Sequence, residues 1–375
     1  MKKKAAALLM AAAMVLTLLA GCGGGTSGPS DGGSGGGGGG SDDGVYRAAL
    51  LIAGTLGDKS FWDSANSGLA ALDAELGDAF EYKVEQMGAN ASDEANYEPT
   101  MLDYCDSGLY DVIITGSFTT LDALTSAIEQ FPNQKFIFFD ETFDFEANGN
   151  PDNVYNILFK QNEVSYLVGA EAALMSQTGA VCFLGGMAGK VINDFLVGYI
   201  QGAKDARPDV KVAVSMVGNY EDSAKGKDLS LAMYNAGADC GFNVAGSAGM
   251  GLLEAAKETG KLAFGVDSDQ AALLPDYAPY IPTSALKNVG NALMIALKQD
   301  MEGGLPYGTQ AFFGFAEGGV SLVKDAHYEE MVPEEIRAAV DELEGKISSG
   351  EIEVYSSSTM TTDEIEALKA SVALQ

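Results

Sequence analysis

Short apolar runs alternate with amphipathic helical patterns along most of the chain. This alternation predicts parallel β-sheets covered by helices on both faces, because each parallel strand needs a crossover to reach the next. The pattern occurs in two successive sets and therefore predicts an α/β protein with two lobes. The predicted strands span residues 46–53, 80–86, 112–115, 136–140 and 154–159 in the first set, and 180–184, 211–216, 240–244, 262–266 and 280–284 in the second.

The beginning of the chain does not follow this alternation. Lysines at positions 2–4 precede a short, alanine-rich apolar run over residues 5–20, which is typical of a secretory signal peptide. The tetrad LAGC at 19–22 resembles the cleavage motif of bacterial lipoproteins. That resemblance implies a signal peptide over residues 1–21 and a diacylated, palmitate-carrying Cys22. Two acyl chains are enough for stable anchoring, so we expect the protein on the extracytoplasmic face of the cell membrane.

Residues 22–44 are almost entirely glycine, serine and aspartate. Such a composition cannot bury a core and behaves as a flexible coil. A coil of this length has a root-mean-square reach of about 25 Å. The segment is therefore predicted to be a flexible tether between the membrane anchor and the first lobe.

Charge and residue composition narrow the range of functions. The chain of 375 residues has 22 Lys and Arg against 53 Asp and Glu, a formal net charge of −31, which argues against a nucleic-acid partner. His327 is the single histidine, so little material exists for a Ser-His-Asp triad or a histidine metal site. The remaining cysteines, Cys105, Cys182 and Cys240, lie in or beside apolar patterns. They are predicted to be buried free thiols, with one disulfide as the alternative in an exported protein.

Charged residues follow two predicted strands of the second set. Asp267 and Asp269 come directly after the strand at 262–266, and the strand at 280–284 delivers Lys287 into the first turn of the next helix. Open α/β sheets bind ligands at the carboxyl ends of their strands, so these charges predict a polar cleft. The alternative is that Asp267 only caps a turn and that Lys287 is a solvated surface residue.

Three glycine-bearing turns could in principle hold a phosphate. GTLGDKS at 54–60 and GGMAGKV at 185–191 have the wrong spacing for a P-loop, and GSAGMG at 246–251 does not have the order of the dinucleotide fingerprint. No set of residues has a catalytic arrangement, because Asp267 and Asp269 are two positions apart and point in different directions. An NAD-dependent enzyme is therefore the weaker alternative, and neither an enzymatic activity nor a cofactor is predicted.

Several longer motifs resemble the basic membrane protein family of substrate-binding lipoproteins, to which the purine nucleoside receptor lipoproteins of bacterial ABC importers belong. The resemblance covers nearly the whole mature chain. Its motifs are AGTLGDKSFWDSANSGL, PNQKFIFFD, FLGGMAGKVINDFLVGYIQGAK, YNAGADCGFNVAGSAGMGLLEAAKE, GVDSDQ, TSALKNV, FGFAEGGVSL and KISSGEIEV. The resemblance implies a type I periplasmic binding protein, in which two Rossmann-like lobes joined by a three-strand hinge enclose a ligand.

The same resemblance implies a lobe division and a function. The N-terminal lobe would comprise residues 45–160 and 285–315, and the C-terminal lobe residues 161–284 and 316–375. The protein would capture a nucleoside, with a purine favoured, and pass it to an ABC permease in the membrane. The alternatives are a type I protein for another small polar solute, or a sensory role without transport.

Site residues also follow from the resemblance. It implies that Phe61 and Phe242 sandwich the base, while Asp140 binds its edge. Asp267 would accept the ribose hydroxyls, and Lys287 would neutralise Asp267 and donate to a ribose oxygen.

The resemblance implies that the turn at Gly246 lies against the sugar. The sequence departs from the family pattern at one position that is expected near the base. Where the family usually has Asn after the Ser-Phe pair, this chain has its single tryptophan, Trp62, followed by Asp63. Both are expected to contact the ligand. An indole offers one donor and a large apolar face, so the alternatives include a different nucleoside or another aromatic ligand.

Overall fold

The computed structural model describes residues 43–89 and 92–374, which fold into two α/β lobes. The predicted signal peptide, the predicted lipidation site Cys22 and almost all of the predicted tether lie outside the described residues. Within the described ranges, no helix has the length and apolar character needed to cross a membrane.

The first lobe is built on a six-stranded sheet in which all neighbouring strands are parallel. The strands are β1 (Tyr46–Ile52), β2 (Phe80–Gln86), β3 (Val112–Gly116), β4 (Lys135–Phe139), β5 (Val154–Phe159) and β11 (Thr309–Phe313). Their spatial order is β11-β5-β4-β3-β1-β2. Central strands such as β3 are buried at every position, because helices cover both faces of the sheet. These helices are α1 (Phe61–Leu76), α2 (Tyr97–Asp106), α3 (Leu121–Gln130) and α9 (Val289–Met301).

The second lobe repeats this plan. Its six strands are β6 (Ala180–Gly185), β7 (Lys211–Met216), β8 (Cys240–Val244), β9 (Leu262–Asp267), β10 (Ser284–Lys287) and β12 (Val320–Leu322), in the order β12-β10-β9-β8-β6-β7. Only β12 is antiparallel to its neighbour among these described strands. The helices of this lobe are α4 (Gln161–Met175), α5 (Lys190–Ala206), α6 (Ser223–Asn235), α7 (Met250–Thr259), α8 (Gln270–Leu273), α10 (Ala326–Met331), α11 (Glu334–Ser348) and α12 (Thr362–Val372).

The two sheets are related strand by strand. In each, the first five strands of the lobe follow the doubly wound order 2-1-3-4-5, so β4 of the first sheet corresponds to β9 of the second. The chain crosses between lobes after β5, after β10, and between β11 and β12. The predicted fold class, with its Rossmann-like lobes and three-strand hinge, is therefore confirmed.

One predicted strand and one predicted lobe boundary need correction. Residues 280–284 do not form the strand: Ala278–Tyr280 is a 3-10 turn, and the strand is Ser284–Lys287. Pro279 and Pro282 lack the N–H groups that the hydrogen bonds of a β-sheet require, so the strand begins only after them, at Ser284. The strand pairs with β9 through Ala285 and Val266 and so belongs to the second sheet, although the boundary at 285 assigned it to the first lobe. Lys287 is its last residue and does not lie in the first helical turn.

The three cysteines of the described chain are free and buried. Cys182 and Cys240 lie on neighbouring strands, but their side chains enter the cores on opposite faces of the second sheet. A disulfide between them would require the strand to turn over, so the disulfide alternative is wrong for these residues. Burial raises the pKa of the Cys105 thiol to about 12, which keeps it protonated and unreactive at neutral pH.

Candidate functional site

The carboxyl ends of both sheets border a cleft of about 280 Å³ between the lobes. Such an edge is where open α/β sheets bind ligands, because strand-end loops and helix N-termini converge there. Most of the predicted site residues line this cleft, and both lobes contribute to them. They are Phe61, Trp62 and Asp140 from the first lobe and Gly246, Asp267 and Lys287 from the second.

Lys287 and Asp140 form a buried ion pair across the cleft floor. The Lys287 ammonium donates to Asp140 Oδ1 at 2.7 Å, and the two side chains are only 3% and 10% exposed. Burial raises the pKa of the Asp140 carboxyl to about 6, and the opposing effect of Lys287 limits the rise. The direct partner of Lys287 is thus Asp140, while the charge of Lys287 also acts on Asp267, where it opposes the rise in the pKa of that carboxyl.

Aromatic rings surround the Lys287 ammonium on its other sides. The nitrogen lies 4.7 Å from the ring centre of Phe61, 5.8 Å from that of Phe159 and 5.6 Å from that of Phe195. Cation–π attraction of this kind strengthens when the cation is desolvated. Lys287 thus lies against rings from both lobes, including that of Phe61 at the cleft.

Asp267 occupies the position in the second lobe that Asp140 occupies in the first. Asp140 directly follows β4 and Asp267 ends β9, and both have left-handed backbone conformations, with φ of +68° and +62°. A non-glycine residue in this conformation is strained, and such strain is concentrated at functional sites. Burial raises the pKa of the Asp267 carboxyl, while Lys287 and a hydrogen bond from Ser60 oppose the rise. Two carboxylates and one ammonium thus meet at the floor of the cleft.

Phe242 does not line the cleft. It is fully buried in β8 and packs against Phe183, Phe195 and Tyr199, with ring centres 5.6–6.1 Å apart. Side chains alternate along a strand, and this position faces the hydrophobic core beneath the sheet. The predicted sandwich of a base between Phe61 and Phe242 is therefore wrong for the arrangement described here.

Beside Phe195, which contacts Lys287, the second lobe brings a further aromatic residue, Tyr220, to the cleft. It lies in the loop after β7, where its half-buried ring covers Gly186, so that a Cβ at Gly186 would come within 2.3 Å of the ring. Tyr220 was not among the predicted site residues. An aromatic residue shortly after the carboxyl end of a predicted strand was the signal that could have identified it.

The two residues after Phe61 have different roles. Trp62 lies in the cleft wall, 8% exposed, with its ring 4.6 Å from that of Phe61. No described residue accepts a hydrogen bond from its indole N–H. Asp63 instead accepts backbone hydrogen bonds from Gly57 and Lys59 and orders their loop, so its predicted ligand contact is wrong.

Gly246 begins a 3-10 turn at the cleft with φ +56°. This left-handed conformation is readily adopted only by glycine, which allows the backbone to approach the cleft closely. The position agrees with the predicted close approach of backbone to ligand. No group of three or more potential metal-binding side chains was found within the described part of the chain.

A second cavity of about 490 Å³ lies between the hinge and the C-terminal segment. It shares Asp140 with the first cleft but is not lined by Phe61, Tyr220, Asp267 or Lys287. The smaller cleft is the better candidate site because both sheets direct aromatic and charged residues into it.

A family model described as an ABC transporter substrate-binding protein, PnrA-like, matches residues 45–358. The chain belongs to this family. Basic membrane protein A1 of Borrelia garinii is 32% identical over 309 residues, which cover 82% of this chain and 87% of the relative. The ABC transporter nucleoside-binding protein BmpA of Lactococcus lactis is 30% identical over 313 residues, which cover 79% and 86%.

Solved structures of ABC solute-binding proteins share this fold. A solute-binding protein of an ABC transporter from Aeropyrum pernix superposes with a TM-score of 0.74 at 25% identity, covering 88% of this chain and all of that one. A solute-binding protein from Actinobacillus succinogenes, solved with bound D-allose, shares the fold at 16% identity with a TM-score of 0.58. This PnrA-like protein is thus an extracytoplasmic substrate-binding protein that works with an ABC permease, and the family does not consist of enzymes.

Proposed function

We propose that this protein captures a nucleoside, with a purine favoured, between its lobes and delivers it to an ABC permease. A lipid on Cys22 would hold it on the extracytoplasmic face of the membrane. The observation that carries the ligand proposal is the combination of aromatic rings and buried carboxylates in one small cleft. A nucleoside has the matching parts, a flat base and a sugar with several hydroxyl donors.

The base is expected between Phe61 and Tyr220, which approach the cleft from opposite lobes. Stacking of a base on an aromatic ring contributes about 1–3 kcal/mol and tolerates different bases. Trp62 offers an N–H donor beside Phe61, and Asp140 offers acceptor oxygens at the cleft floor. These groups allow contacts to the base edge although the usual Asn is replaced.

The ribose is expected near Asp267 and Lys287. A buried carboxylate accepts hydrogen bonds from hydroxyl groups that are worth about 1.5–3 kcal/mol each, because the acceptor is charged. Lys287 balances the charge of this region and is close enough to Asp267 to lower its pKa. The turn at Gly246 allows the backbone to approach the sugar.

Isothermal titration calorimetry with adenosine, guanosine, inosine, uridine, adenine and D-ribose tests the ligand class. We expect purine nucleosides to bind and the free base and free sugar to bind at least a hundredfold more weakly, since each leaves one set of partners unused. Binding of D-ribose alone would favour the alternative of another polar solute. Binding of no nucleoside would refute the proposed ligand and leave the family assignment unchanged.

A further inference from the structure

Ser60 is the residue before α1, yet its side chain does not cap that helix. A serine at this position usually accepts a hydrogen bond from a backbone N–H of the first turn. Here the carboxylate of Asp58 accepts from the backbone amides of Ser60, Trp62 and Asp63 instead. The capping requirement of α1 is thus met by Asp58, which leaves the Ser60 hydroxyl free for another partner.

That partner lies in the other lobe. The fully buried Ser60 hydroxyl donates to Asp267 Oδ2 at 2.5 Å, across 207 positions in the sequence. Two further contacts join the same segments. The Ser268 hydroxyl donates to the Ser60 carbonyl at 3.2 Å, and the Gln270 amide donates to the Lys59 carbonyl at 3.3 Å. The start of α1 is therefore attached to the end of β9 and the turn that follows it.

We infer that Ser60 is a positioning residue that holds the two lobes together and orients Asp267 for the ligand. Its hydroxyl makes the same kind of bond to the carboxylate that a ligand hydroxyl would make. The bond consists of protein atoms alone, so it stabilises the closed arrangement whether or not a ligand is bound. The buried carboxylate also keeps one fixed donor, which limits the directions in which its remaining lone pairs can accept a ligand hydroxyl.

The bond shifts the equilibrium between open and closed lobes. A hydrogen bond to a charged acceptor is strong enough that its loss should change this equilibrium by about tenfold. Opening would also expose cleft segments that Ser60 does not touch, such as the 3-10 turn Gly246–Gly249. An effect on this distant turn distinguishes lobe closure from a purely local effect on α1.

Hydrogen–deuterium exchange of the mature lipoprotein, without ligand, tests the inference. In Ser60→Ala, amides in peptides covering 218–222 and 245–250 should exchange about tenfold faster than in the wild type, if exchange follows the open population. Ser67→Ala is the matched control, because that hydroxyl donates to the Ser64 carbonyl within α1. It should leave exchange in both peptides unchanged.

Two further variants keep the test decisive. Ser60→Thr retains the hydroxyl and should exchange within about twofold of the wild type. Asp267→Asn removes the charge of the acceptor and should also speed amide exchange in the same two peptides. It takes the place of Ser60→Ala in the test if the Ser60→Ala protein does not fold. Faster exchange confined to residues 58–64 and 266–270, or no change at all, would overturn the inference. Because no ligand is used, this result is independent of the proposed nucleoside.

Discussion

Lys287 ends a strand of the second sheet, but its ammonium is paired with Asp140 of the first lobe at 2.7 Å. The two lobes therefore share one buried ion pair at the floor of their cleft. Removal of one member of a buried pair leaves an uncompensated charge, whereas removal of both can be nearly neutral. This relationship makes the pair a structural element of the closed arrangement as well as a part of the site.

Lys287→Met should lower the free energy of unfolding by about 3 kcal/mol or more, because it leaves the Asp140 carboxylate buried without its partner. The double variant Asp140→Asn with Lys287→Met should recover much of this loss. Lys160→Met is the matched control, since Lys160 follows β5 as Lys287 ends β10, but its side chain is 45% exposed. Urea denaturation gives the free energy of unfolding of all four proteins, the wild type included. An equal loss of stability in the single Lys287→Met variant and in the double variant would contradict the pairing.

Asp267→Ala should weaken binding of the best nucleoside by about 3 kcal/mol, which is over a hundredfold, because two charge-assisted bonds are lost. Asp269 is the internal control. Its carboxylate caps α8 by accepting from the Ala272 amide and takes no part in lining the cleft. Asp269→Ala should change affinity by less than about 1 kcal/mol. A similar loss of affinity in both variants, measured by calorimetry, would show that the ligand is placed wrongly.

Tyr220→Ala should reduce nucleoside affinity by about 1–3 kcal/mol, the usual contribution of one stacking ring. Phe242→Leu should behave in the opposite way, since Phe242 lies in the core: its melting temperature should fall while affinity changes little. Calorimetry and thermal denaturation of the two variants check this reversal. If Phe242→Leu loses more affinity than Tyr220→Ala, the ring that faces the ligand has been misidentified.

Glu171 is buried within the second lobe, where burial raises its pKa from 4.5 to about 8. The folded state therefore keeps a proton that the unfolded state releases between these values, so stability falls as pH rises through this window. Glu171→Gln should remove this contribution and be more stable than the wild type by about 2 kcal/mol or more at pH 8, but not at pH 4.

Urea denaturation across this pH range measures the effect. Glu129, exposed on α3, supplies the control variant Glu129→Gln, which should follow the wild-type pH dependence. If Glu171→Gln and the wild type lose stability in parallel between pH 5 and 8, Glu171 does not carry the folded-state proton.

Cys22→Ala should abolish incorporation of radiolabelled palmitate in cells and release the protein from the membrane, since no acyl chain would remain. Cys105→Ala is a suitable control, because that thiol is buried and should not be acylated. Unchanged labelling of the Cys22→Ala protein would refute the proposed anchor.

The sequence alone was sufficient for most of the secondary structure and for the fold class. The strands at 80–86, 154–159, 211–216 and 240–244 agree with the structure residue for residue. Strand patterns depend on neighbouring residues, and the alternation of strand and helix permits few topologies. Asp267 and Lys287 could be placed at the ligand edge by the same reasoning, because parallel strands bring their carboxyl ends to one side, whereas Asp140 was assigned to the site through the family resemblance.

Only the tertiary structure decided which of these residues touch. Lys287 could reach either carboxylate, and the packing of one lobe against the other selected Asp140 for the direct bond. A fully buried strand such as β8 has no polar face, so its sequence could not show that Phe242 points into the core and away from the cleft. The contact between Ser60 and Asp267 joins segments 207 positions apart, a distance over which no local pattern carries information. Such contacts depend on the relative position of the two lobes, which is set by the hinge and by the packing of both surfaces.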